Sequence, residues 1–285
     1  MHLKNQNKKV AVMQALSFKE LEHLKILDEQ CAECGHQLVD IITLDIEPFC
    51  QNCQRKKTDE KNEQRVKAME DYVKRQKTYS WLKQHSLILD RQLKQAKFTN
   101  FDVKTQAEQN LKQKAQRIAN DYIDDQVFNT ILTGTPGAGK SHLAMAILAQ
   151  INENSDPYKR CLYVAVQDMM RKIRASFDDN ESRYTEQYCI DLCQEADVLV
   201  LDDLGAETGA IQAKRAASDF TNRVLNAVID SRQDKPTIVT TNLNSEQLSK
   251  MYDQKLLSRM YKGIKANDSV LVFNNVSDKR SGLKF

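Results

Sequence analysis

Glycine and proline are scarce in this chain of 285 residues, 8 and 4 in number, which excludes collagen-like, elastic and low-complexity sequences. Aromatic residues make up only 7%, with a single tryptophan. No apolar run approaches the ~18 residues needed to span a bilayer. The start, Met1 to Val10, is polar and basic without an apolar segment. The expectation is a cytoplasmic chain with no signal peptide, no transmembrane helix and no membrane partner. Charge of one sign is also lacking, since the net value is only +3.

That small net charge conceals an asymmetry. From Gln54 to Arg117 there are 17 Lys/Arg against 8 Asp/Glu, a local excess of +9. Such an excess suits contact with nucleic acid or an acidic partner, and equally a solvated helix face. The 7 cysteines are odd in number. In a cytosolic chain that argues for metal ligands plus buried thiols rather than a disulfide framework.

Three regions follow one another: a cysteine-bearing segment over 1–58, a basic helical linker over 59–97, and an α/β domain over 98–285. A short helical pattern precedes the cysteines at Phe18, Leu21, Leu24, Ile26 and Leu27. The stretch 54–97 is polar and free of Gly and Pro, and reads as one or two long exposed helices. Beyond Phe98, β-rich runs at Val127–Thr133, Cys161–Val166, Val198–Leu201, Thr237–Thr241 and Val270–Phe273 alternate with helical patterns. Those patterns are Ser141–Asn152, Gln167–Phe177, Arg183–Gln194, Ala213–Ser231 and Ser245–Lys262. Strands separated by crossover helices predict a parallel sheet covered on both faces.

The run Gly134-Thr135-Pro136-Gly137-Ala138-Gly139-Lys140-Ser141 lies between a strand-like run and an apolar helix, the context that makes it a phosphate loop. Its glycines let backbone N–H groups converge on phosphate oxygens at a helix N-terminus. Lys140 would reach the β- and γ-phosphates of ATP, and the Ser141 hydroxyl would ligate Mg²⁺. The apolar run Val198–Leu201 ends in Asp202 and Asp203. Paired carboxylates at the end of a buried strand are costly unless they meet a cation or a reacting water. Asp202 is the natural outer-sphere or direct Mg²⁺ partner, and Asp203 would orient or deprotonate the attacking water. A third strand delivers Thr241 and Asn242 at its carboxyl end, where an amide can bond γ-phosphate and water together.

These motifs, in this order, resemble a P-loop AAA+ ATPase, and more narrowly the DnaC/DnaI-type loaders of the replicative helicase and the IstB-type transposition helpers. "VLVLDDLGA" at Val198–Ala206, "TTNL" at Thr240–Leu243, "LLSRM" at Leu256–Met260 and "FTNF" at Phe98–Phe101 carry the resemblance beside the phosphate loop. It implies that Asn242 is the first sensor, that Arg259 is an arginine finger facing a neighbouring subunit, and that Arg280 falls at a second sensor position. The second acid is Asp203 rather than the family's commoner Glu, which suits slow, partner-stimulated hydrolysis. Only 12 residues follow Phe273, so no helical lid is expected.

Cys31-x-x-Cys34 and Cys50-x-x-Cys53 have the spacing of a four-thiolate structural Zn²⁺ site, with Gly35 relieving the turn after Cys34. Leu38–Phe49 suits a small hairpin over the metal, and His36 is a weaker candidate ligand. Cys189 and Cys193 read as buried thiols. Helix 167–177 places Met169, Ile173 and Phe177 on an apolar stripe and Arg171, Lys172 and Arg174 elsewhere, a basic surface open to single-stranded DNA or to solvent. The resemblance implies an ATP-dependent loader of a DnaB-type replicative helicase onto single-stranded DNA, oligomeric when assembled. The alternatives are a helper ATPase of a transposase, or a zinc-containing adaptor that binds ATP without turnover.

Overall fold

The computed structural model describes residues 24–42, 46–179, 181–206, 218–274, 276 and 279. Two compact units divide between Val73 and Lys74.

The first unit holds two antiparallel strands, β1 (Leu24–Gln30) and β2 (Gln37–Ile41), paired Leu24 to Ile41 and Gln30 to Gln37. Leu24, Ile26 and Leu27 therefore lie on a strand and not on the expected helix, while Phe18 and Leu21 fall outside the described residues. A brief apolar spacing yields here to backbone pairing with β2. On its other side Val39 exchanges hydrogen bonds with Phe49, 2.8 and 2.9 Å long. Among the described residues the unit buries Val39, Ile41, Phe49 and Cys50. So small a core needs a staple.

The helix expected over 54–97 is α1 (Gln51–His85), 35 residues long and without one buried side chain. It spans about 50 Å at the usual helical rise. Its charged composition leaves no apolar stripe to bury. No helix among the described residues is long and apolar enough to cross a membrane.

The second unit continues with α2 (Gln106–Ile123), β3 (Thr130–Gly134), α3 (Lys140–Asn154), β4 (Cys161–Ala165), α4 (Val166–Ala175), α5 (Glu186–Glu195) and β5 (Val198–Leu204). Then come α6 (Asp219–Asp230), β6 (Thr237–Thr241), α7 (Ser245–Met251), α8 (Gln254–Met260) and β7 (Val270–Phe273). The five strands β3 to β7 form one parallel sheet in the order β4-β5-β6-β3-β7. Their near-continuous apolar runs reflect burial on both faces. Leu162, Val164, Leu199 and Leu201 join one core with α4 to α8; Tyr163, Val198, Val200, Leu132 and Leu271 join the other with α2 and α3.

Several boundaries differ from expectation. The pattern Ser245–Lys262 is two helices, because Asp253 Oδ1 accepts the Leu256 N–H at 2.7 Å and caps a new start. Phe177 lies beyond α4 and is 60% exposed, so the expected stripe ends at Ile173. Helix α2 was not anticipated. Thr105 and Glu108 form its capping box, and Ala115, Ile118, Ala119 and Tyr122 bury one face. Residues 86–97, read as linker, pack onto the sheet. Leu87 N–H donates to Tyr163 O and Leu87 O accepts from Ala165, both at 2.8 Å, and Leu87 and Ala96 are buried.

Candidate functional site

The cleft forms at the carboxyl ends of β3, β5 and β6, where an open α/β sheet binds its ligands. Strand β3 ends at Gly134, whose φ is +130°; a Cβ there would lie 2.8 Å from the Phe273 backbone. Only glycine lets β3 and β7 approach this closely at the entrance to the loop. Gly139 is the N-cap of α3 and offers no side-chain acceptor, so the first N–H groups of that helix remain available to an anion.

Lys140 opens α3 and is 7% exposed. Its Nζ donates to Gly134 O at 2.8 Å, Thr135 O at 2.7 Å and Asn242 Oδ1 at 2.7 Å. The Asn242 amide in turn donates to Asp203 Oδ1 at 3.0 Å. The expected lysine, amide and second acid therefore meet in one chain of contacts.

Strand β5 slips register with β6 between Leu201 and Leu204, and Asp203 stands at φ +57°. Such a conformation is rare for any residue but glycine, and aspartate and asparagine tolerate it best. The twist is held by Thr240, whose hydroxyl donates to Asp202 Oδ1 at 2.7 Å and accepts the Asp203 N–H at 2.8 Å. Asp202 is 8% exposed and Asp203 half-buried. Pro136, Gly137, Ser141, Tyr163, Gln167 and Lys279 also line the cleft, whose volume is about 440 Å³.

In the first unit the four cysteines converge. Sγ separations are 3.7 Å for Cys31–Cys53 and 3.3 Å for both Cys34–Cys50 and Cys34–Cys53, and all four sulfurs lie within 4.8 Å of one another. The edge of a tetrahedron with metal–sulfur bonds of about 2.3 Å is roughly 3.8 Å, so the donor set fits a closed metal site. Gly35, at φ +72°, makes the turn, and its N–H donates to Cys31 O at 2.8 Å. The His36 N–H, then the Cys50 and Cys53 thiols, hold the Cys34 thiol down at about 6. Cys53, hydrogen-bonded to Cys34 and desolvated, is pushed up. His36 stays outside the cluster, its Nδ1 donating to Cys34 O at 3.2 Å. Cys189 and Cys193 are buried, as expected.

A family model described as IstB-like ATP binding protein matches residues 49–278. The chain belongs to this family. Among relatives of this IstB-like chain, the replicative helicase loader DnaC of Escherichia coli (strain K12) is 30% identical over 179 residues, 62% of this chain and 66% of that protein. The uncharacterized protein YdaV of the same strain is 30% identical over 165 residues, 57% and 60% of the two chains. The chain thus spans just under two thirds of the length of these relatives. A crystal structure of the DnaC helicase loader, 21% identical, gives a TM-score of 0.46 over 64% of this chain and 99% of that one. One of DnaI, 23% identical, gives 0.48 over 61% and 91%.

The fold does not bring every expected residue of the IstB-like chain to the cleft. Arg259, on α8, lies near the amino ends of β3 and β6, where its carbonyl accepts from Asn129 Nδ2 at 2.9 Å and its guanidinium pairs with Asp230. A five-residue strand of about 16 Å separates that end of the sheet from the phosphate loop. Arg280 lies outside the described residues. Its neighbour Lys279 is at the cleft, its N–H donating to Gly137 O at 3.0 Å and its Nζ 3.6 Å from the centre of the Phe101 ring.

Sequence reading also missed the part Thr240 plays, Tyr163, and the pair Leu89 and Leu93, which line the cleft from the 86–97 segment. A tyrosine inside the otherwise aliphatic run of β4 was a visible signal. The segment 86–97 offered none, since its part in the site depends on pairing with β4.

Proposed function

We propose that this IstB-like chain is a Mg²⁺-dependent ATPase that loads a replicative DNA helicase onto single-stranded DNA. The observation that carries the reading is the contact chain from Lys140 through Asn242 to Asp203, built at the mouth of a phosphate loop. Lys140 would bind the β- and γ-phosphates; Ser141 and Asp202 would hold Mg²⁺, which neutralises phosphate charge when bound. Asp203 would take the proton of the attacking water, with Asn242 fixing that water against the γ-phosphate. Arg259, remote from its own cleft, would complete a neighbouring subunit's site in an oligomer. The four cysteines would hold a structural Zn²⁺ in a module that docks on the helicase.

Four contacts among aromatic and basic side chains support the DNA side of this reading. Arg174 and Arg223 stand 5.6 and 5.4 Å from the Phe220 ring centre, Phe177 meets Phe220 edge-on, and Lys172 lies 4.5 Å from Tyr184. Rings interleaved with cations suit stacked, unpaired bases. The similarity to DnaC favours the helicase as cargo, whereas the family's IstB-like description keeps a transposase helper as the second reading. The test is loading of the replicative helicase from the same source onto a closed single-stranded circle. Loading that requires this chain and ATP supports the proposal. Absence of loading, together with ATP-dependent stimulation of a transposase, sinks it.

A further inference from the structure

Tyr163 is fully buried in the middle of β4; its hydroxyl makes no well-formed hydrogen bond, and the polar groups facing it are the Asp202 carboxylate and the Ser141 hydroxyl. A buried hydroxyl without a full hydrogen bond is costly, so such an atom has capacity for a partner from outside the chain. Its placement says which one. Strand β4 pairs with β5 so that Tyr163 opposes Val200 and Ala165 opposes Asp202. Tyr163, Val200 and Asp202 then share one face of the sheet, and a long side chain reaches its diagonal neighbour. Tyr163 also lines the cleft beside Ser141 and Asp202.

The backbone that carries the ring is pinned by hydrogen bonds. The Tyr163 N–H donates to Ser86 Oγ at 3.0 Å and its carbonyl accepts from Leu87 at 2.8 Å. A phenol hydroxyl is an O–H donor near neutral pH. Asp202 Oδ1 is already engaged by Thr240 at 2.7 Å.

We infer that the Tyr163 hydroxyl is a positioning donor for the metal–nucleotide complex, acting beside Ser141 and Asp202, the residues that would hold magnesium. The inference rests on the ATP reading above and deepens it: Mg²⁺-nucleotide would be distinguished from bare nucleotide by a third residue.

The experiment compares the full-length wild type with Tyr163→Phe and Tyr122→Phe. Tyr122 is the control, because its buried hydroxyl is satisfied by Thr130 Oγ1 at 2.6 Å and Phe128 O at 3.0 Å. Tyr163→Phe should melt at or above the wild-type temperature without nucleotide, since the oxygen removed makes no well-formed hydrogen bond. The magnesium concentration for half-maximal binding of a non-hydrolysable ATP analogue should rise about 5- to 10-fold, with binding in EDTA unchanged. Tyr122→Phe should melt lower and leave the magnesium dependence alone. An unchanged magnesium dependence in Tyr163→Phe, or a lower melting temperature without nucleotide, overturns the inference while the ATP reading stands. A wild type that shows no magnesium-dependent nucleotide binding overturns both.

Discussion

The side-chain oxygen of Asn242 accepts a hydrogen bond from Lys140 Nζ over 2.7 Å. The amide's other end donates to Asp203, so one side chain touches both the lysine proposed to bind phosphate and the acid proposed to activate water. Replacing it by alanine should leave nucleotide affinity within about threefold and lower turnover on the order of 10²-fold, the usual cost of losing a preorganised donor. Equilibrium binding and single-turnover hydrolysis on the same preparation separate the two effects. Equal losses in both would make Asn242 a binding residue only.

Asp203 stands at φ +57°, a constraint that decides how its role can be tested. Asparagine tolerates this backbone almost as well as aspartate, whereas alanine would add strain to the loss of charge. Asp203→Asn should therefore fold and bind ATP like the wild type while turning it over at least about 10²-fold more slowly. Hydrolysis at the wild-type rate would place the base elsewhere. Lys140→Ala is the converse variant, expected to lose nucleotide affinity itself.

What could be read from the chain alone was what local residue types dictate. Gly134 to Ser141 needed only its glycines, its lysine and the flanking apolar runs to declare a phosphate loop, and the two Cys-x-x-Cys pairs declared their cluster by spacing. Thr240 was hidden because its role is long-range: a hydroxyl is ordinary in a strand until a neighbouring strand bulges at Asp203. Strand β1 was misread for the same reason, its partner β2 lying beyond the cysteine turn. The break at Asp253 was local and legible, since an aspartate three residues before Leu256 is an N-cap, but continuous periodicity masked it. Helix α2 likewise carried its capping box, Thr105 and Glu108, in plain sight.

The cysteine cluster predicts one tightly held zinc per chain. With few apolar residues buried in that unit, the metal would supply much of its folding energy. Cys31→Ser should lower bound zinc to well under half of the wild-type content and increase protease sensitivity around residues 24–50. Nucleotide binding by the unit from Lys74 onward should persist. Cobalt substitution offers a spectroscopic check, because four thiolates give intense sulfur-to-metal charge-transfer bands in tetrahedral geometry. Full zinc retention by Cys31→Ser would refute the four-thiolate assignment.

Glu108 links stability to pH. Burial raises its pKa, but the N–H groups of Lys104 and Thr105 and the charge of Lys279 outweigh it, so the folded value lies below the ordinary one. For a depressed carboxylate the contribution is present in full above the unfolded pKa and is lost as pH falls through the folded value. Glu108→Gln keeps an acceptor for the capping box but cannot titrate. Its melting temperature should fall by a few degrees at pH 7, and the gap to wild type should close as pH drops below about 4. A gap independent of pH would show that packing, not charge, is what Glu108 contributes.

Assembly is the last expectation. Beyond Lys140 and Lys279 the described cleft holds no cation to meet the charge that develops on the transferred phosphoryl group, and a missing arginine finger can cost about 10³-fold or more in rate. Arg259 is at the wrong end of β3 to serve its own cleft, where it pairs instead with Asp230. A neighbouring subunit is therefore the site it would serve, after exchanging Asp230 for the phosphate. ATPase activity should rise with protein concentration and with single-stranded DNA as scaffold. Arg259→Ala should bind ATP normally and hydrolyse it poorly, with melting temperature measured to separate the loss of the Asp230 pair from the loss of catalysis. Mixing it with Lys140→Ala should recover part of the rate, because an Arg259→Ala subunit keeps an intact pocket and its Lys140→Ala neighbour keeps an intact arginine. Oligomers that form without any such recovery would return Arg259 to a structural role, holding the end of α6 against α8.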